Sequence, residues 1–202
     1  KRSPLYAYFP TELETRLGFL INGPYRTTPT RENVPHVDES NAYLIRESAA
    51  LFQEALIHLR NSGILSPAAW QAMPVRRDNF PPKSIVCPIA DAFREAVRAE
   101  KLIPTYRGGY SSSENVLIAG SAAIRNLFSH NQLQELIPDR TDPAWASEEM
   151  TAKRSPDVVQ FLMKELGVPE FDSSAVARHI TDDFLSKQDD EWLILFYQFL
   201  TD

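Results

Sequence analysis

Arg26 and Arg31 stand close together in FLINGPYRTTPTREN, residues 19–33, among the hydroxyls of Tyr25, Thr27, Thr28 and Thr30. Guanidinium forks and O–H donors on a short loop suit a phosphate oxygen, because arginine offers paired, planar N–H groups and never loses its charge. The structural alternative is a connector stiffened by Pro24 and Pro29, its arginines paired with nearby acids. The order of elements favours the chemical reading. An apolar run ends at Asn22-Gly23, the loop follows, and then the longest helical pattern of the chain begins. A loop braced on both sides can present an arginine to a nucleotide held in another domain.

Other constellations carry less chemistry. His36, His58, His130 and His179 form no paired metal-ligand spacing, and Cys87 stands alone, so no metal site is expected. There is no GxSxG elbow for a nucleophile. RGGYSSS, residues 107–113, lacks both glycine-rich nucleotide signatures and reads as a turn. The acid pairs Asp182-Asp183, Asp189-Asp190 and Glu148-Glu149 fall where helices are expected to begin, so capping explains them. Near the C-terminus Trp192, Phe196 and Phe199 keep helical spacing. They read first as core, and otherwise as a face for a protein partner.

The elements that must position these residues follow from pattern. LYAYF (5–9) and RLGFLIN (16–22) read as strands of one small sheet, with TELETR between them as a helical turn or hairpin loop. Residues 23–38 read as loop. Residues 39–63 form the clearest helix, capped by Asp38 or Ser40 and ended by Gly63. Its apolar stripes, Leu44-Ser48-Leu51-Ala55-Leu59 and Ile45-Ala49-Phe52-Leu56, predict a broad buried face. Ser66-Pro67 opens a short helix, RRDNFPPKS (76–84) is a stiff polar connector, and Pro88 opens a helix through Leu102. Short strands near 103–106 and 116–118 are expected to pair around Gly108-Gly109. SAAIRNLF and NQLQELI read as helices, and residues 139–149 as a loop. Ser155-Pro156 caps a helix that Gly167 ends, and three more follow near 173–179, 181–187 and 189–200. The fold class is α+β, mostly α, with a small N-terminal β element before a helical region. Three segments are expected: 1–38 with the strands and arginine loop, 39–138 helical with a small hairpin, and 139–202 as a helical subdomain.

The totals set outer limits. The chain has 202 residues, 43% hydrophobic and 24% charged, enough for a core without staples. A net charge of −6 argues against nucleic acid as partner. No apolar run reaches the length of a membrane span. One cysteine fits a reducing compartment, so a cytoplasmic location is expected. The chain opens on KRSPLYAYFP without an initiator Met and reads as a piece of something longer.

The stretch has a form, FLxxGPxxTTPxRxN, matched by Phe19, Leu20, Gly23, Pro24, Thr27, Thr28, Pro29, Arg31 and Asn33. Together with YFPTELET before it, this resembles the segment after the ATP-binding domain in bacterial proteins with an ATPase of the ninety-kilodalton heat-shock chaperone type, the GHKL class, with the sacsin N-terminal region as a relative. The close match covers about residues 7 to 60. The resemblance implies that Thr30-Arg31-Glu32 corresponds to the chaperone's Ser-Arg-Glu loop. Arg31 would then be the catalytic γ-phosphate contact, with Arg26 and Thr30 beside it. Thr28 stands where that loop has an Asn, and Pro35 falls near the position of its Gln. ATP and Mg would bind an upstream domain, the principal partner; this chain alone would bind neither and would not be an enzyme, though the parent could be a slow ATPase. The rival expectation is a helical protein-interaction module, with client or partner unspecified and the arginine loop purely structural.

Overall fold

A computed structural model of the chain describes residues 3–201. The fold is α+β and mostly α, a small N-terminal hairpin followed by helices. It forms two compact units, one ending at Leu102 and the other beginning at Ile103.

In the first unit, β1 (Pro4–Ala7) and β2 (Phe9–Glu14) pair antiparallel, Ala7 opposite Phe9. The turn between them is tight, with Tyr8 at φ 63°. This corrects the strand assignment. The segment expected as a helical turn or loop, TELETR, supplies most of β2, and 16–22 is no regular strand. Only Asn22 bridges to Tyr6, while Tyr6 N–H donates to Ile21 O at 2.9 Å and Gly23 N–H to Tyr6 O at 3.1 Å. Leu17, Phe19 and Ile21 serve the core, whereas Leu20 is exposed. Leu17 is buried, and the Phe19 ring stacks on Phe52 at 4.7 Å. Gly18 meets the backbone of Ala72 so closely that a Cβ would lie 2.4 Å from its Cα.

Helix α1 (Glu39–Asn61) begins as expected: the Asp38 carboxylate accepts from Asn41 N–H at 3.0 Å. It ends at Gly63, which takes φ 69° while Gly63 and Ile64 N–H donate to Arg60 and Leu59 carbonyls. Its buried stripe is narrower than the pattern suggested. Asn41, Ile45, Ala49 and Leu56 are buried, whereas Leu51 is exposed. Helix α2 (Pro67–Trp70), a 3-10 turn at Arg77–Asn79 and helix α3 (Cys87–Ala99) complete the unit. Helices α1 and α3 pack together, and Leu5, Leu17, Tyr25, Val34, Phe80 and Ile89 fill the core with them.

In the second unit, β3 (Ile103–Pro104) pairs with β4 (Tyr110–Ser111) around Gly108 and Gly109, both at positive φ. β5 (Val116–Ala119) was expected to close that hairpin but does not. It is the centre of a parallel sheet, between β6 (Ala144–Trp145) and β7 (Glu170–Phe171). A strand covered on both faces is apolar throughout, as VLIA is. The supposed loop 139–149 therefore contains a strand, and Glu148 reaches Arg125 at 3.5 Å instead of opening a helix. The helices are α4 (Ala122–Leu127), α5 (His130–Leu136), α6 (Pro156–Lys164), α7 (Ser173–His179), α8 (Asp182–Ser186) and α9 (Asp190–Thr201). Ser155 makes no capping bond to α6; its buried hydroxyl donates to Glu149 O at 2.7 Å. Asp189 does cap α9, accepting from Trp192 N–H at 2.7 Å.

Candidate functional site

The arginine loop is built as a turn stapled to the hairpin. Arg31 N–H donates to Thr28 O at 2.9 Å, closing a turn with Pro29 at its second position, where a fixed φ costs nothing. Thr28 and Asn33 brace it: Thr28 N–H donates to Asn33 O at 3.0 Å, and Asn33 N–H to Thr28 Oγ1 at 3.2 Å. Glu12 N–H of β2 reaches Arg31 O at 3.3 Å.

Arg31 itself lies at φ 60°, in the left-handed region. That conformation costs an L residue roughly 1–2 kcal/mol. Its Nη2 donates to Ala7 O at 2.7 Å and Phe9 O at 3.2 Å, and the guanidinium rests over the exposed Phe9 ring, 5.6 Å from its centre. Nε and Nη1 make no hydrogen bond among the described residues. The side chain is thus fixed along one edge, with donors remaining on the other for a single anion.

Arg26 is tied elsewhere. Its N–H donates to Asn41 Oδ1 at 2.8 Å and its Nη1 to Asp38 Oδ2 at 3.3 Å. The Asn41 N–H, and after it the Arg26 guanidinium, hold the Asp38 carboxyl below its ordinary range. The Arg26 side chain is largely in solvent, so this ion pair contributes little. Thr30 is exposed, and no hydrogen bond joins it to Arg26 or Arg31 among the described residues. The three suggested phosphate contacts therefore share a loop but not a bonded cluster.

Asn41 was missed by sequence reasoning. It is fully buried, and its Nδ2 donates to Arg26 O at 2.9 Å and Pro35 O at 3.0 Å. With the Arg26 N–H bond it pins both ends of the arginine loop to the first turn of α1. The signal was present: 41, 45 and 49 run along one helical stripe, and a polar residue on an apolar stripe needs partners.

The C-terminal aromatic set lies in the second unit. Trp192 and Phe196 are buried in its core, the Trp192 ring stacked on Phe196 at 5.1 Å and its Nε1 donating to Leu127 O at 2.8 Å. Phe199 is half-buried and lines a shallow cleft of about 220 Å³ between α4 and α9. The outer face of α9 is carried by other residues, Ile194, Leu195, Tyr197 and Leu200, all more than half exposed.

Among the described residues, no group of three His, Cys, Asp or Glu side chains is placed to hold a metal ion. Nor is any helix there long and apolar enough to cross a membrane. No family model, curated protein or solved structure matches the chain.

Proposed function

We propose that this chain couples ATP held in an upstream domain of a cytoplasmic, chaperone-like GHKL ATPase to the helical region behind the arginine loop. Arg31 supplies the γ-phosphate contact. The observation that carries the reading is the Arg31 guanidinium, presented from a loop braced by Asn41 and by β2. The left-handed backbone of Arg31 is shared with Tyr8 and Arg16 and belongs to the turns of this unit. Nη2 fixes the guanidinium on two carbonyls, and Nε and Nη1 are left as donors toward phosphate oxygen. A charge-assisted bond of about 1.5–3 kcal/mol favours one domain arrangement by roughly tenfold or more. ATP and Mg belong to the upstream domain, and this chain alone turns over nothing.

The test is ATP hydrolysis by the full-length protein, wild type against Arg31→Ala and Arg31→Lys, with thermal unfolding alongside. The expected result is a rate loss of at least about tenfold for Arg31→Ala beyond anything its stability change explains. Equal rates in folded wild type and variant would remove Arg31 from the chemistry.

A second reading, a helical protein-interaction module, is favoured by the outer face of α9. Ile194, Leu195, Tyr197 and Leu200 present apolar surface, while Trp192 and Phe196 anchor the helix from behind. Under it, Leu195→Lys leaves the melting temperature unchanged and abolishes partner binding, and Arg31→Ala affects stability alone.

A further inference from the structure

The first unit holds a cavity of about 530 Å³ between α1, the segment leading into α3, and α3 itself. Its charge opposes that of the chain. Arg46, Arg77, Lys83 and Arg94 line it against one carboxylate, Asp91, in a protein of net charge −6. These are not all surface charges. Arg94 is only 4% exposed, and it is the one charged side chain buried among the described residues. Its Nη1 donates to Ala90 O at 2.8 Å. It makes further contacts within the fold, so it adds charge behind the cavity wall and is not an open donor. The neighbouring Cys87 thiol donates to Asp91 Oδ2 at 3.4 Å. Burial and Asp91 push its pKa up, while Arg94 and Arg77 pull the other way.

The wall is rigid. Phe80 and Val86 plug into the core, Ser84 N–H closes on Pro81 O at 2.7 Å, and Cys87 N–H on Ser84 O at 3.0 Å. Arg46 and Lys83, nearer the solvent, make no hydrogen bond or ion pair among the described residues. Ile45, Phe80 and Pro82 give the cavity an apolar side.

We propose that this cavity is a binding site for a small phosphorylated molecule, its phosphate held by Arg46 and Lys83, with the charge of Arg94 behind them, and its body laid on Pro82 and Ile85. Guanidinium forks match phosphate oxygens, and an ammonium adds a movable point charge. Cavities of this size suit a ligand with one charged end and one apolar part. The site is separate from the Arg31 loop and does not depend on the ATPase reading.

Titration calorimetry on this chain with inorganic pyrophosphate, with thermal unfolding beside it, tests the proposal. The expected result is saturable one-to-one binding with Kd below about 1 mM, a raised melting temperature, and marked weakening at about 1 M salt. Arg46→Ala/Lys83→Ala should weaken binding about tenfold or more while leaving the free protein's unfolding unchanged, because both side chains are exposed. No saturable binding up to about 10 mM pyrophosphate, or equal affinity in the double variant, overturns the site. Adenosine monophosphate against inorganic phosphate tests the apolar wall. Tighter binding of the nucleotide supports it, and equal binding overturns that half of the proposal.

Discussion

The two units solve one problem, holding irregular chain against helices, with different chemistry. In the first, polar side chains tie loops to backbone carbonyls: Asn41 to Arg26 and Pro35, Arg31 to Ala7 and Phe9, Thr11 Oγ1 to Leu5 O at 2.8 Å. In the second, rings take the larger share, beside polar ties such as Ser155 Oγ to Glu149 O, while the first unit has a comparable ring anchor in Trp70, whose Nε1 donates to Leu102 O at 3.1 Å. Trp145 and Trp192 pack among Phe128, Phe171 and Phe184, and each indole N–H finds a main-chain carbonyl, Phe128 O and Leu127 O. The difference teaches where each unit is vulnerable. Cutting a polar tie leaves buried donors and acceptors unmet, whereas removing a ring leaves a cavity.

Substitution in the aromatic unit should do the most damage. Trp192→Ala is expected to lose about 3–5 kcal/mol in denaturant unfolding, since the cavity cannot be refilled from one helix. A loss below about 1 kcal/mol would mean α9 is not held by its ring and would erase the contrast. Next comes Asn41→Ala, which strands the Arg26 N–H and two carbonyls. About 1–3 kcal/mol is expected, with faster amide exchange at Arg26 as the local readout.

The third comparison is internal to Arg31. Arg31→Ala keeps the left-handed backbone and loses the staple, whereas Arg31→Gly loses the staple and relieves the backbone. Arg31→Gly should therefore be the more stable of the two by about 1 kcal/mol. Equal stabilities would show that the loop relaxes once the guanidinium is gone. The smallest effect is a pH dependence. Burial raises the Tyr25 phenol pKa above its ordinary value near 10, with the Ser48 hydroxyl opposing the shift. The folded chain then keeps the phenolic proton at a pH where the unfolded chain releases it. Tyr25 stabilises the fold below pH ~10, and that contribution falls as pH rises past it. Tyr25→Phe should flatten this alkaline slope in thermal unfolding.

Helices were the legible part of this fold. Asp38, Ser66, Pro88, Gly63 and Gly167 mark ends through local geometry, and local geometry is written locally. Strands were legible only where burial dictated composition. β5 is covered on both faces and reads as VLIA, but β2 buries a single side chain, Thr11, and exists because β1 pairs with it. RLGFLIN reads as a strand because Leu17, Phe19 and Ile21 turn inward while Gly18, Leu20 and Asn22 are exposed, but a single bridge from Asn22 to Tyr6 leaves it irregular.

The arginine loop was legible as a loop and as a donor-rich one. Its anchoring was not, because the acceptors of Arg31 are main-chain oxygens of Ala7 and Phe9, and any residue supplies those. The basic cavity was hidden for a related reason. Arg46, Lys83 and Arg94 converge only after α1 and α3 pack and the intervening segment folds over them.

The central strand has a consequence for how the protein is made. β5 takes both of its neighbours from later in the chain, β6 at Ala144 and β7 at Glu170. A ribosome adding ~5–20 residues per second leaves Val116–Ala119 without either partner for a few seconds after it is synthesised. During that interval an apolar segment has open edges, and of its own unit only the β3–β4 hairpin, α4 and α5 have been made. A truncation ending before Phe171 would make the interval permanent, with one side of β5 left to pair with another nascent chain.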